Sequence, residues 1–446
     1  MPLPTPSQLA WIDDEISVLI HWNMATFVSP DWCPYDRPLP DPHIFRPTLV
    51  NADNWMRTIQ DLGARSATLV VRHGCGFVTY PSAVQLPEPY SIIYNYSVAY
   101  ADESVSARNL VLEFVKSCQR SGIKTGFYFN MFYNYFMNIV QGAVHSSTLF
   151  PYQVNVTIEE FDNVSIAQLF ELLSGRYGQL NELWFDSGGL RQNQFARVKA
   201  LIEQYQPQVN VMSQSTPNLS QNAIRNSDTE SGYSPDPNWS TSFDCTGGPG
   251  TGDPNGTQFC VVMCDTTLQL MDKWFWRPYP EVTGIRSLSE LIDIYHSTVG
   301  HNCLLQLDLT PDTSGLIPPI YAQRYKELGD FIRSCYTENI RPPINSTCSQ
   351  LQCFLLFDVP TTIDRLVLRE NQQYGQLIRA YNIDVQTKSG DQWLFLLNGT
   401  SIGNKKIDLF KDGPIEVWSV RLTVTQMASG AEQSPYIRQF TAHLCA

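Results

Sequence analysis

Charge is scarce in this chain. Asp, Glu, Lys and Arg make up 16% of its 446 residues, and the acids outnumber the bases to give a formal net charge of -13. The missing basic surface excludes a nucleic-acid partner, which needs Lys and Arg against its phosphates. Long apolar runs are missing as well. None reaches the roughly 20 residues that cross a bilayer, so a soluble chain without membrane attachment is expected. The opening "MPLPTPSQLAWIDD" lacks the basic start and apolar centre of a signal peptide. No Gly-x-Gly-x-x-Gly opens a helix after the first strand, which weakens a dinucleotide-binding reading. Cys260 and Cys264 sit in an apolar run with no second pair downstream, so no zinc pattern forms. Neither internal repeats nor low-complexity tracts are evident.

What is present is apolar and aromatic. Hydrophobic residues reach 43%, with 10 Trp, 21 Tyr and 22 Phe. Such rings are ordinary core material, and they are also the faces on which neutral sugars stack. Eleven cysteines, an odd number, leave at least one thiol unpaired in a monomer. Asn-x-Ser/Thr sequons occur at Asn95, Asn155, Asn163, Asn218, Asn238, Asn255, Asn345 and Asn398. Together they favour a secretory-pathway protein (extracellular, vacuolar or lysosomal) with disulfides and glycans.

Eight apolar or β-rich runs recur, at 17–23, 66–74, 123–130, 181–188, 209–215, 223–228, 259–265 and 303–311. Most are continuous rather than alternating, as strands buried on both faces read. Helical patterns lie between several of them, at 51–63, 108–122, 165–178 and 195–205. In the first, Trp55, Ile59 and Leu62 share a stripe that ends at Gly63; in the second, Leu110, Phe114 and Cys118 do so before Gly122. This predicts a (β/α)8-like barrel over residues 1–334. Beyond residue 335 the chain alternates in short steps between turn residues, which predicts a C-terminal antiparallel β-sandwich over 335–446. "CYTENIRPPINSTC" reads as the linker.

The run "LNELWFDSGGL" buries Leu183, Trp184 and Phe185, then places Asp186 where the strand stops. Asp, Ser and Gly are turn formers, so a plain strand end is one reading. A catalytic carboxylate at the carboxyl end of a barrel strand is the other. His21, His73, Arg225, Glu230 and Asp265 also fall at or just beyond candidate strand ends.

These segments in order resemble the α-L-fucosidases of glycoside hydrolase family 29 over nearly the whole chain. "LPTPSQLAWIDDEISVLIHWNMATF", "PDW", "IFRPTLVNADNW", "GIKTGFYFN", "YGQLNELWFDSGG", "CDTTLQLMDKWFW", "VLRENQQYGQLIRAYNIDV" and "LNGTSIGNKKI" carry the likeness. They look most like the branch that cleaves α-1,3/1,4-linked fucose. The resemblance implies a retaining exo-hydrolase without metal or organic cofactor, acting on fucosylated oligosaccharides or glycoproteins. Asp186 matches the nucleophile and Glu230 the acid/base, since retention needs two carboxylates. A raised Glu230 pKa, supplied by burial against Trp239 or Tyr233, would suit a proton donor.

His21 and His73 match residues that bind ring hydroxyls, although a lone His near a strand is often structural. Asp31 and Trp32 match an acidic-Trp pair that holds hydroxyls and stacks a sugar face; a surface turn is the alternative. Trp184 lines the pocket or packs the core. Arg225 holds a hydroxyl, orients a carboxylate, or makes a plain ion pair. Trp274 and Trp276 are aromatic-wall candidates or core, and Asp265 supports from behind. Asp228 matches no family role.

Two motifs depart from the family. Its usual Lys-His-His-Asp-Gly-Phe reads Arg72-His73-Gly74-Cys75-Gly76-Phe77, so the second His and the Asp are gone. One lost hydroxyl partner costs about 1–3 kcal/mol if nothing replaces it. Its Trp-Val-Gly-Asn-Glu after an Arg reads "RNSDTESG" here. A fucose-binding protein on a weakened fucosidase scaffold is therefore the competing expectation, and a barrel glycosidase for galactose a third. A Cys75 thiol nucleophile is discounted, because no His–Asn or His–Asp partner is evident.

Overall fold

The computed structural model describes residues 1–28, 33, 35–227, 230–246, 250–338, 340–349, 351–431 and 437–445. Its centre is a closed barrel of eight parallel strands. In chain order they are β1 (Ile16–Ile20), β2 (Ser66–Arg72), β3 (Lys124–Phe129), β4 (Glu182–Phe185), β5 (Asn210–Ser213), β6 (Ala223–Asn226), β7 (Val261–Thr266) and β8 (Leu304–Leu309). Each strand pairs with its sequence neighbours, and β8 closes on β1. All eight expected runs are barrel strands. Their continuous apolar character has the anticipated cause, for β1, β2, β4, β5, β7 and β8 are buried at every residue.

The barrel interior is not purely apolar. Glu182, wholly buried, accepts from Trp11 Nε1 (2.8 Å), Thr68 Oγ1 (3.0 Å) and Gln306 Nε2 (2.9 Å). Burial pushes its carboxyl pKa up, and the three donors restrain that rise. This knot joins α1 (Pro6–Ile12) to β2, β4 and β8.

The outer helices follow the stripes. In α2 (Ala52–Leu62), Trp55, Ile59 and Leu62 are buried; Asn51 caps the start, and Gly63 at φ 89° ends it. In α3 (Leu110–Ser121), Leu110, Phe114 and Cys118 are buried. The helix expected at 165–178 instead runs Ile158–Leu173 (α4). The earlier start comes from a capping box in which Thr157 and Glu160 satisfy each other's backbone, with Glu159 and Glu160 in the first turn. Helices α5 (Gln192–Tyr205), α6 (Leu288–Thr298) and α7 (Pro319–Arg333) complete the described layer.

Beyond α7 lie two antiparallel sheets of four and five strands. Leu366, Leu368 and Phe440 from one and Leu355, Ile383, Val420 and Leu422 from the other share one core, which makes a sandwich. The expected linker is partly structured, because Ile340 pairs with His443 and Asn345–Ser349 forms a hairpin with the strand beginning at Gln352. Disulfides join Cys33–Cys75, Cys245–Cys260, Cys264–Cys303, Cys335–Cys445 and Cys348–Cys353, leaving Cys118 free and buried. Asn238 is buried with Nδ2 donating to Ser234 Oγ (2.7 Å), so that sequon is a chance match in the folded protein. Among the described residues no helix is long and apolar enough to cross a membrane.

Barrel and sandwich meet around Glu15. Its carboxylate takes Lys405 Nζ at 2.7 Å and Arg369 at 2.9 Å, both from the sandwich. Burial opposes its charge, but the two cations outweigh burial and hold its pKa below the ordinary glutamate value. A depressed acid stabilises fully at neutral pH and loses that contribution as pH falls through the lowered pKa. Glu15→Gln strands a buried ammonium and is expected to cost about 3–5 kcal/mol. Thermal melts at neutral pH should show a clearly lower Tm, with the gap from wild type narrowing only below the ordinary glutamate range.

Candidate active site

Parallel strands put all their carboxyl ends at one mouth, and His21, His73, Asp186, Glu230 and Trp274 lie there. Asp186 directly follows β4 and is half-buried. Tyr128 Oη, from the adjacent β3, donates to Asp186 Oδ2 at 2.6 Å, and Ser187 N donates to Oδ1 at 2.6 Å. The next residue, Gly188, is glycine for space: a Cβ there would meet the Phe132 ring at 2.3 Å. The loop thus passes close to an aromatic wall immediately after the acid.

His21 follows β1 and is buried. Its Nδ1 donates to Asp308 Oδ1 of β8 at 2.9 Å. Burial, helped by neighbouring His73, drives its pKa well below 6.5, so the ring is neutral at neutral pH. A neutral ring donating from Nδ1 keeps Nε2 as an acceptor. The His21 ring lies 6.2 Å from His73, 5.0 Å from Trp274 and 5.1 Å from Phe275. His73 stacks on Tyr128 at 5.7 Å and meets Phe275 at 5.0 Å. Two histidines, a tyrosine and two aromatics therefore form one cluster beside Asp186.

Glu230 lies in the loop after β6, its side chain open to the mouth. Trp274 Nε1 donates to its Oε2 at 3.2 Å. Its pKa is raised chiefly because surrounding protein displaces water; the Trp274 bond pulls the other way, and the charges of Asp186 and Asp272 raise it further. The two carboxylates are thus electrostatically coupled. The hydrogen-bonding neighbour of Glu230 is Trp274; of the expected neighbours, Trp239 is buried and Tyr233 is 57% exposed.

Other expectations are relocated. Trp184 sits beneath the mouth, stacked on Tyr128 at 5.6 Å, with Nε1 donating to Gln306 Oε1 (3.1 Å) in the barrel interior. The Arg225 guanidinium binds Gly250 O (2.8 Å), Asn238 Oδ1 (2.8 Å) and Trp239 O (3.1 Å). It therefore ties down the loop that carries Glu230. Asp265 is buried behind that loop, taking Asn226 Nδ2 at 3.4 Å and, through its carbonyl, Gly232 N at 3.2 Å. Trp276 is half-buried. Cys75 is closed in a disulfide, which removes it as a nucleophile. Asp31, Trp32 and Asp228 lie outside the described residues.

Sequence reading missed Tyr128, Asp308 and Phe275. Tyr128 and Asp308 were visible only as polar interruptions in the buried runs "GFYFN" and "LQLDL", and Phe275 as the centre of "WFW".

A closed parallel barrel with coupled carboxylates, a neutral histidine and an aromatic wall at its carboxyl mouth defines a barrel glycoside hydrolase. The chain belongs to the α-L-fucosidase family, whose model matches residues 42–335. It is 24% identical to alpha-L-fucosidase 1 of Arabidopsis thaliana, across 95% of this chain and 85% of that one. A solved Bacteroides thetaiotaomicron structure assigned as an α-L-fucosidase superposes with a TM-score of 0.84 at 27% identity, covering both chains fully. A Ruminococcus gnavus family 29 fucosidase, solved in complex with fucose, gives 0.81 at 18% identity over 100% of this chain and 95% of its own. The likeness to this last structure is one of fold.

Arg225→Met should release the 230–252 loop by leaving its acceptors unmatched, at a local cost of about 1–3 kcal/mol. Hydrogen exchange should quicken in residues 238–252 and stay unchanged in the barrel strands; equal protection throughout would refute the tether.

Proposed function

We propose that this glycoside hydrolase is an exo-acting retaining α-L-fucosidase of the branch that removes α-1,3/1,4-linked fucose from oligosaccharides or glycoproteins. The observation that carries the mechanism is the contrast between two coupled carboxylates. Asp186 is fixed on a strand end by Tyr128 and its own loop, whereas Glu230 stands on a loop with a raised pKa. Asp186 attacks the anomeric carbon as Glu230 protonates the departing glycosidic oxygen. Glu230 then takes a proton from the water that cleaves the fucosyl–Asp186 ester.

His21 Nε2 accepts a ring hydroxyl, with its tautomer set by Asp308, and His73 binds beside it. Asp31 and Trp32 remain candidates for further hydroxyls and stacking, and Trp274 walls the sugar while tuning Glu230. Trp184 and Arg225 act from behind, through Tyr128 and the Glu230 loop. Fucose carries a methyl group where galactose carries a hydroxymethyl, and the buried Phe275 ring makes the ground behind both histidines apolar. The catalytic unit spans residues 1–334 and the sandwich 335–446, with the Glu15 cluster locking them together. The disulfides suit a secreted or lumenal site of action.

The altered 72–77 motif favours the competing reading, a fucose-binding protein without turnover. Activity decides between them. Against an aryl α-L-fucoside, Asp186→Ala should lower kcat by roughly a thousandfold or more while Tm and fucose binding persist, and azide should partly restore turnover. Retained catalysis in that variant would overturn the mechanism. With substrate bound, the two carboxyl groups should stand about 5–5.5 Å apart; a gap near 9 Å would indicate inversion.

Glu230 must be protonated to act as an acid, so activity falls as pH rises through its pKa. Trp274→Phe removes a bond that lowers that pKa. The alkaline limb of the kcat profile should therefore move to higher pH, and a shift downward would contradict the assignment.

A further inference from the structure

The segment around Gly74 and Cys75, where the family pattern is broken, is rebuilt from another part of the chain. Gly74 has no side chain, and the space a Cβ would enter is already taken. Tyr35 Oη lies 3.2 Å from that Cβ position, and Tyr133 Cβ 3.4 Å from it. The following residue, Cys75, is joined to Cys33, two residues before Tyr35. Both cysteines are buried, so the link pins Cys33 to the turn that follows β2.

Tyr35 is held at other points too. Its ring stacks on Tyr133 with centroids 5.7 Å apart and planes 11° from parallel. Its carbonyl oxygen accepts from Tyr135 Oη at 2.9 Å and meets His145 Nε2 at 3.0 Å. The phenol oxygen lies against Gly74, next to His73; burial raises its pKa, as do the nearby Tyr133 and the charge of Asp186. It is therefore a protonated donor across the working pH range, set against Gly74, the residue after His73, and close enough to Asp186 to feel its charge. Arg72 on the other side of His73 points away, with Nη1 donating to Gln168 Oε1 of α4 at 2.7 Å.

We propose that Tyr35 is a substrate-binding residue of this site, its phenol taking a fucose hydroxyl in place of the side chain absent at Gly74, with the Cys33–Cys75 disulfide holding it there. The proposal rests on the fucosidase reading above and adds a residue from a different loop. It turns the motif's two losses into one linked replacement. The glycine makes room for the ring, and the cysteine fixes the loop that brings it.

The test compares wild type, Tyr35→Phe and Gly74→Ala on an aryl α-L-fucoside and on its analogues deoxygenated in turn at each ring hydroxyl. Fucose titration calorimetry is run on the same proteins. Loss of one hydroxyl hydrogen bond should lower kcat/KM of Tyr35→Phe roughly three- to tenfold on the parent substrate. That loss should vanish on the one analogue lacking the partner hydroxyl. Gly74→Ala, whose methyl presses on the phenol oxygen and shifts it by a few tenths of an ångström, should weaken the same hydroxyl contact to a smaller degree, and the double variant should be no worse than the worse single one. An undiminished parent rate, or an equal loss on every analogue, overturns the proposal, because a purely structural role would not distinguish hydroxyls. If wild type binds fucose but cleaves no fucoside, the catalytic reading fails, while weaker fucose binding by Tyr35→Phe still supports the role of Tyr35. Absence of both binding and cleavage in wild type sinks both.

Discussion

The 2.6 Å hydrogen bond from Tyr128 to Asp186 is the contact on which the mouth depends. It spans neighbouring strands, so the position of the acid is set by the barrel as well as by its own loop. Behind it the order is relayed by packing. Trp184 stacks beneath Tyr128 and donates to Gln306, which in turn donates to Glu182. In front, the other face of Tyr128 carries His73. A catalytic group must be held to within a fraction of an ångström, and rings locked between β-strands achieve that better than a loop can. The polar floor of the barrel therefore serves the site, although it lies well beneath it.

Much of the fold was legible because parallel barrel strands have a simple signature. Buried on both faces, they read as unbroken apolar runs, and all eight runs became strands. The start of α4 was misplaced because its first turn is acidic; Thr157, Glu159 and Glu160 look like a polar loop until they are seen as cap and dipole partners. The segment after Cys335 looks like a linker for its prolines, yet its short strands are sheet edges, one pairing with the distant strand at His443 and the other folding into a local hairpin.

The site was only partly legible, and the reason is sequence distance. His21 and Asp186 could be found as polar residues at strand ends. Their partners come from elsewhere in the barrel, as with Asp308, 287 positions from His21. No local pattern encodes such a pair. Arg225 shows the converse limit. Its place before Glu230 leaves a sugar hydroxyl, a carboxylate or an ion pair open as its partner; a guanidinium with several donors can equally satisfy the carbonyls of a long loop, and here it does.

The two carboxylates also differ in how the backbone presents them, and the difference fits opposite needs. Asp186 ends a strand, and the adjustment falls on Ser187, whose φ of 65° turns the chain aside at once. Glu230 itself adopts φ 62°, a left-handed conformation that a glutamate takes at a cost of about 1–2 kcal/mol. Such a conformation persists only where the surroundings hold it. Arg225 grips the loop further along, Gly232 N bonds to the Asp265 carbonyl, and Trp274 holds the Glu230 carboxyl. The attacking group needs one fixed line to the anomeric carbon, so it is built into the wall. The group that first gives and later takes a proton needs reach and a tunable environment, so it is carried on a loop whose strain the rest of the mouth offsets.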